Sequence, residues 1–160
     1  MCEVCAADPL THSFDPITVF KQTHVFYTTF RNTKDYTNAD SIYRHFKAYL
    51  DKLQGTPWIW IIDCKFLTSK HIAHINTSLT ILSKLRDQYS GSIQSIYLIN
   101  TGPILKTIFH LFVPFITKDF ANNIVKLNGS PLELFEAFKK IGWTVQEVQP
   151  LIHRLQKEFE

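Results

Sequence analysis

The chain has 160 residues, 45% hydrophobic and 19% charged, and its 17 basic against 14 acidic residues leave a formal charge of +3. That length suits one domain with a substantial core and excludes two ordinary ones. The mild charge, with no like-charged run longer than Lys139-Lys140, excludes a nucleic-acid footprint and leaves open a weak attraction to anionic membrane surfaces. Three cysteines, Cys2, Cys5 and Cys64, do not make a disulfide framework. "MCEVCAADPL" lacks the basic-then-apolar plan of a signal peptide, and no apolar run reaches the roughly 20 residues that span a bilayer. A soluble cytoplasmic protein is expected.

Residues 1–15 contain proline and no pattern, and read as a loose N-terminal arm before a domain over residues 16–160. "PITVF" and "HVFYTTF" are rich in β-branched and aromatic residues and read as strands, joined through "KQT" by a hairpin or a bend. Asp40 or Ser41 can cap a helix to about Gln54, with Ile42, Phe46, Tyr49 and Leu53 on one face and Gly55 just past its end. "PWIWIID" is an unbroken apolar run ending in Asp63, the pattern of a parallel strand covered on both faces. Thr68 or Ser69 can cap a long helix to about Tyr89, with Ile72, Ile75, Leu79, Leu82 and Leu85 at helical spacing. "IQSIYLIN" is a further strand, so strand, helix and strand make a βαβ unit.

"NTGPILKTIFHLFVPFI" follows, apolar except for Lys106, Thr107 and His110. Pro103 suits a first helical turn and Pro114 ends or kinks the helix. On a wheel Ile104, Ile108, Leu111 and Phe112 share one face, and Leu105, Phe109 and Val113 widen it to about two-thirds of the circumference, more than the stripe of a surface helix. Either this is a central core helix, or one face meets the core and the other a removable partner. "TKDFANN" reads as another helical turn and "IVKL" as a short strand. "SPLELFEAF" carries a capping box, Ser130 with Glu133, with Pro131 at the first position. "GW" closes that helix, and a last helix is expected from Pro150 to about Phe159.

Other constellations carry little chemistry. Cys2, Cys5 and His12 lack the second ligand pair that structural zinc requires. His71 and His74 fall near Cys64, with Asp63 the one nearby carboxylate, and read as solvent-facing residues of a first helical turn. A Cys64 nucleophile would need a base and an orienting partner; a small buried hydrophobe is the simpler reading. Asp63 is expected to tie down the following loop through backbone N–H groups. No glycine-rich phosphate loop is present. Trp58 and Trp60 alternate and so point to one face, either lining a cavity or packing under a helix.

From Pro57 to Trp143 the chain resembles a CRAL-TRIO lipid-binding domain. The carrying residues are Asp63 ending "PWIWIID", Tyr89 at a helix end, Tyr97 with Asn100 as a "YxxN" strand end, and Pro114-Phe115 closing the apolar helix. In that family the apolar helix is a gate over a lipid cavity, and the resemblance implies this role for residues 103–113. Three departures matter. There is no room for the helical lobe that commonly precedes the lipid-binding lobe. Gly91 and Asn123 stand where phosphatidylinositol transfer members carry Glu and Lys, so no inositide headgroup site is implied. Phe66 replaces a common loop glycine. The wording "PFITKDFANNI" is similar to the divergent branch that includes BCH scaffold domains.

The expected fold is therefore α/β: one domain, a mixed, mainly parallel sheet of about five strands, helices mostly on one face and the gate helix over the other. The expected function is non-enzymatic binding or transfer of a lipid or other hydrophobic ligand, with Trp58, Trp60, Leu98, Ile104, Leu105, Ile108, Phe109 and Phe112 around it. No cofactor, metal or catalytic residue is expected. Partners would be a phospholipid or hydrophobic small molecule and, transiently, a membrane surface. The alternative is a BCH-type interaction module without ligand, binding a protein such as a small GTPase.

Overall fold

The computed structural model describes residues 13–31, 38–115 and 118–159. Residues 1–12 of the expected arm, including Cys2, Cys5 and His12, lie outside them. Ser13 and Phe14 belong to the folded body: Phe14 is fully buried and stacks on Phe26 with ring centroids 4.4 Å apart.

Five strands form one sheet in the order β1 (Asp15–Phe20), β2 (Thr23–Thr29), β3 (Trp58–Asp63), β4 (Ile93–Ile99) and β5 (Ile124–Leu127). β1 and β2 are antiparallel, and the remaining neighbours are parallel. "KQT" is thus a hairpin. Lys21 and Gln22 both take positive φ, 46° and 67°, the backbone of a two-residue turn whose twist matches the strands. Such a turn ordinarily uses Asn-Gly, because side chains rarely adopt these angles.

The helices are α1 (Ala39–Leu50), α2 (Ser69–Ala73), α3 (Ile75–Tyr89), α4 (Pro103–Phe112), α5 (Lys118–Asn122), α6 (Pro131–Ile141) and α7 (Val145–Phe159). The strand order steps steadily across the sheet, so same-handed crossovers all fall on one face. Accordingly α1, α3 and α4 share that face with Trp58, Trp60, Ile96 and Leu98. The other face, with Tyr27, Ile59, Ile61, Tyr97 and Ile99, is covered by α6 and α7 through Leu134, Phe138, Val148, Leu151 and Leu155. This corrects the expected placement of the apolar helix opposite the others.

Three helix boundaries also differ from the sequence pattern. α1 is capped by Asn38, whose Oδ1 accepts from the Ser41 N–H at 3.0 Å, rather than by Asp40 or Ser41. The long helix is broken at His74 (φ −105°, ψ 24°) into α2 and α3. α7 begins at Val145 rather than Pro150. Thr144 and Glu147 cap it reciprocally, at 3.0 and 3.2 Å. Pro150 sits inside α7, and the carbonyl it leaves unpaired belongs to exposed Gln146, which water can serve. The Ser130–Glu133 capping box forms as expected, and Gly142 ends α6 at φ 111°.

Candidate functional site

α4 follows the inward edge of the sheet on a few anchors. Leu105 and Ile108 are buried, while Phe109 and Phe112 are half-buried. Spaced i, i+3, i+4 and i+7, these four make the inward stripe. Leu111 is 42% exposed and Val113 51%, and Lys106, Thr107 and His110 are exposed with them. The helix therefore leaves apolar Leu111 and Val113 about half exposed on its outer side, beside Lys106, Thr107 and His110.

Beneath α4 lies an apolar pocket of about 150 Å³. Trp60, Ile62, Ile96 and Leu98 form its floor from β3 and β4. Phe46 of α1, with Ile75, Ile81 and Leu82 of α3, forms one wall, and Leu105, Ile108, Phe109 and Phe112 form the roof. Six of the eight residues expected around a ligand, Trp60, Leu98, Leu105, Ile108, Phe109 and Phe112, therefore face one pocket. Trp58 does not: it is packed in the core beside Phe14, and its indole N–H donates to Ser92 Oγ at 3.0 Å. Ile104 is half-buried near the N-terminus of α4 and also lies off the pocket. Of the wall residues from α3, Ile75 and Leu82 were legible in that helix's apolar periodicity and Ile81 was not, and nothing in the sequence said that α3 and α4 share a face.

Few polar groups interrupt this lining. The Trp60 indole N–H donates to Thr28 Oγ1 at 2.8 Å, which satisfies the ring's polar edge within the wall. Cys64 is buried, and burial, with Asp63 beside it, pushes its thiol up to about 12. A thiol so protonated is a small hydrophobe rather than a nucleophile. His71 also lines the pocket. Its Nδ1 accepts from the Thr68 N–H at 2.9 Å as half of the α2 capping box, and burial lowers its pKa. Among the described residues no three His, Cys, Asp or Glu gather as metal ligands.

The start of α4 is pinned from below. Asp63 is fully buried at the end of β3. Its Oδ2 accepts from the Tyr27 hydroxyl at 2.7 Å, and its Oδ1 accepts from the Lys65 N–H at 3.0 Å and from Asn100 Nδ2 at 2.9 Å. The Lys65 bond is the loop tie expected of this carboxylate. Asn100 takes φ 53°, a turn residue between β4 and the helix. The Thr101 N–H and hydroxyl then both donate to Asn128 Oδ1, at 2.7 and 2.8 Å. The chain thus enters α4 from a fixed point, and beyond Pro103 the helix packs through its inward stripe, Leu105, Ile108, Phe109 and Phe112.

The order Asp63, Asn100, apolar helix over this sheet agrees with the comparison to known families. A model of the divergent CRAL/TRIO domain matches residues 15–146. The chain belongs to that family. CRAL/TRIO domains bind lipophilic small molecules and are generally non-enzymatic. The crystal structure of Sfh5 shares the fold, with a TM-score of 0.61 at 15% identity over 79% of this chain. The match spans 49% of the Sfh5 chain, so this CRAL/TRIO domain corresponds to about half of that protein. No curated protein matches the chain in sequence. Within the domain, Asn123 stands at the departure noted above and is occupied structurally: its carbonyl accepts from the Ile96 N–H at 2.8 Å and its Nδ2 donates to the Ile93 carbonyl at 3.3 Å. No described helix is long and apolar enough to cross a membrane.

Proposed function

We propose that this domain binds a lipid or another hydrophobic ligand in the pocket under α4, without chemistry on it, and releases or loads it by moving α4 at a membrane surface. The observation that carries this reading is the two-sided apolarity of α4: Leu105, Ile108, Phe109 and Phe112 roof a pocket, while Leu111 and Val113 are exposed above it. A helix that belonged only to the core would have no reason to keep both an opening below and apolar side chains outside.

Size sets the mechanism. A pocket of about 150 Å³ is of the order that takes one benzene-sized group, against ~300–1,000 Å³ for ordinary ligand sites. On this reading the pocket is contracted when empty, and an acyl chain enters as α4 rises. Each methylene that then leaves water contributes about 0.8 kcal/mol, so a chain segment of several carbons offsets the lost contacts of the roof. At a membrane, the outer apolar side of α4 is stabilised among acyl chains while Lys106 and His110 stay at the headgroup level.

The test is native mass spectrometry and organic extraction of the purified protein, with labelled-lipid binding alongside. Co-purified lipid that is lost in Phe112→Asp, with the fold retained by circular dichroism, supports the reading. Repeatedly empty preparations that take up no labelled lipid overturn it.

A further inference from the structure

The pocket is apolar except for Thr28, His71 and Ser78, and His71 is the one whose chemistry is incomplete. Because the imidazole accepts the Thr68 N–H at Nδ1, that nitrogen carries no proton. The neutral ring therefore carries its proton on Nε2. Nε2 is screened from solvent and has no hydrogen-bond partner among the described residues, and the ring stands edge-to-face against Phe30, centroids 5.4 Å apart. A buried N–H donor without an acceptor is unfavourable and rare in folded proteins. The capping box supplies no reason for it, since a Glu at that position closes the box without burying a donor. Thr28 is not a comparable group, because its oxygen already accepts from Trp60.

We propose that His71 is the polar anchor of the ligand: its Nε2–H donates to an uncharged oxygen, the carbonyl or hydroxyl of a lipophilic molecule, once α4 has moved and the pocket is filled. This rests on the ligand-binding reading above and narrows it. The ligand class is a ketone, ester, alcohol or similar lipid with an oxygen close to its buried end, rather than a plain hydrocarbon tail. The ring is placed for this by its own backbone. The Thr68 bond fixes the tautomer and the direction of Nε2, so the donor is preorganised and needs no rotamer change to meet an acceptor. Burial lowers the imidazole pKa, which keeps the ring neutral near pH 7.

The experiment uses two probes of matched shape, acetophenone and α-methylstyrene, which differ by a carbonyl oxygen in place of a methylene. Their affinities for the whole chain are measured by competition with a labelled hydrophobic probe. The ratio of ketone to hydrocarbon affinity is compared between wild type, His71→Glu and His71→Gln. Glu keeps the capping box and removes the donor, whereas Gln keeps the box and retains one. The expected result is a ratio lower by roughly 5–50-fold in His71→Glu and largely restored in His71→Gln, with the Nε2 proton of the wild-type ring moving downfield in the NMR spectrum only with the ketone. An unchanged ratio in both variants overturns the proposal while leaving the pocket as a ligand site, because the N–H is then satisfied by the Phe30 ring. Failure of the wild type to bind either probe overturns the ligand-binding reading itself.

Discussion

Asp63 is the buried group on which the approach to α4 depends, and its removal has a calculable cost. Asp63→Ala takes the carboxylate acceptor from the fully buried Tyr27 hydroxyl, and from Asn100 Nδ2 and the Lys65 N–H, which lie nearer solvent. A stranded buried donor costs about 1–3 kcal/mol and a lost bond to a charged group about 1.5–3 kcal/mol. With the two outer donors finding water, the total is about 2.5–6 kcal/mol. At about 2–4 °C per kcal/mol for a domain of this size, the melting temperature falls by roughly 10 °C. Asp63→Asn is the control. Its Oδ1 keeps the Lys65 and Asn100 bonds, and its amide donates to a reoriented Tyr27 hydroxyl, so only charge assistance is lost, about 1–2 kcal/mol. Equilibrium urea unfolding followed by circular dichroism measures both, with unchanged slopes showing that stability alone has moved. Equal losses in the two variants, or a loss below about 1 kcal/mol in Asp63→Ala, would refute the hydrogen-bond account.

Other expectations follow from the same structure. Replacing Lys21-Gln22 with Asn-Gly relieves two positive φ angles and should raise stability by about 0.5–1.5 kcal/mol, read as a higher urea midpoint. His45 and His71 are both held below the ordinary imidazole value of 6.5, chiefly by burial. The unfolded chain therefore takes up protons first as the pH falls, so stability is full above about pH 6.5 and declines below it; unfolding at neutral pH and near pH 5 checks the direction, and a smaller decline is expected in His45→Gln. With Cys2 and Cys5 replaced by Ser, Cys64 should stay unlabelled by a thiol reagent at neutral pH until urea unfolds the chain, as its thiol lies near 12. Leu111→Asp with Val113→Asp changes exposed positions only, so vesicle association should weaken while the melting temperature moves by under about 2 °C.

Much of the fold was legible where local chemistry and burial agree. "WIWIID" is buried on both faces in the structure as its unbroken apolar run implied, and Ser130, Glu133 and Gly142 mark the two ends of α6. The misplaced boundaries have local causes. Asn38 outcompeted Asp40 and Ser41 because the cap is the residue whose side chain reaches the Ser41 N–H, and several residues there are capable of it. The start of α7 was written in Thr144-x-x-Glu147, a second capping box about one and a half turns ahead of Pro150, which the helix tolerates in its interior. The apolar wheel of residues 103–113 was too wide to orient: it put Ile104, Ile108, Leu111 and Phe112 together, whereas packing chose Leu105, Ile108, Phe109 and Phe112. Which face wins is decided by where the sheet lies, and that depends on strand order, a long-range property. For the same reason six candidate residues meet at the pocket while Trp58 and Ile104 stand away from it.

The strand order has a mechanical corollary. α1, α3 and α4 stand on one side, while α6 and α7 close the other through Leu134, Phe138, Val148 and Leu151. The sheet is thus a partition between the face that carries the pocket and the face packed by α6 and α7. On the proposed ligand-binding reading, cargo would fill or empty the first without loosening the second, so amide hydrogens of α6 and α7 should keep the same exchange rates whether the pocket is loaded or vacant, while those of α4 follow its occupancy.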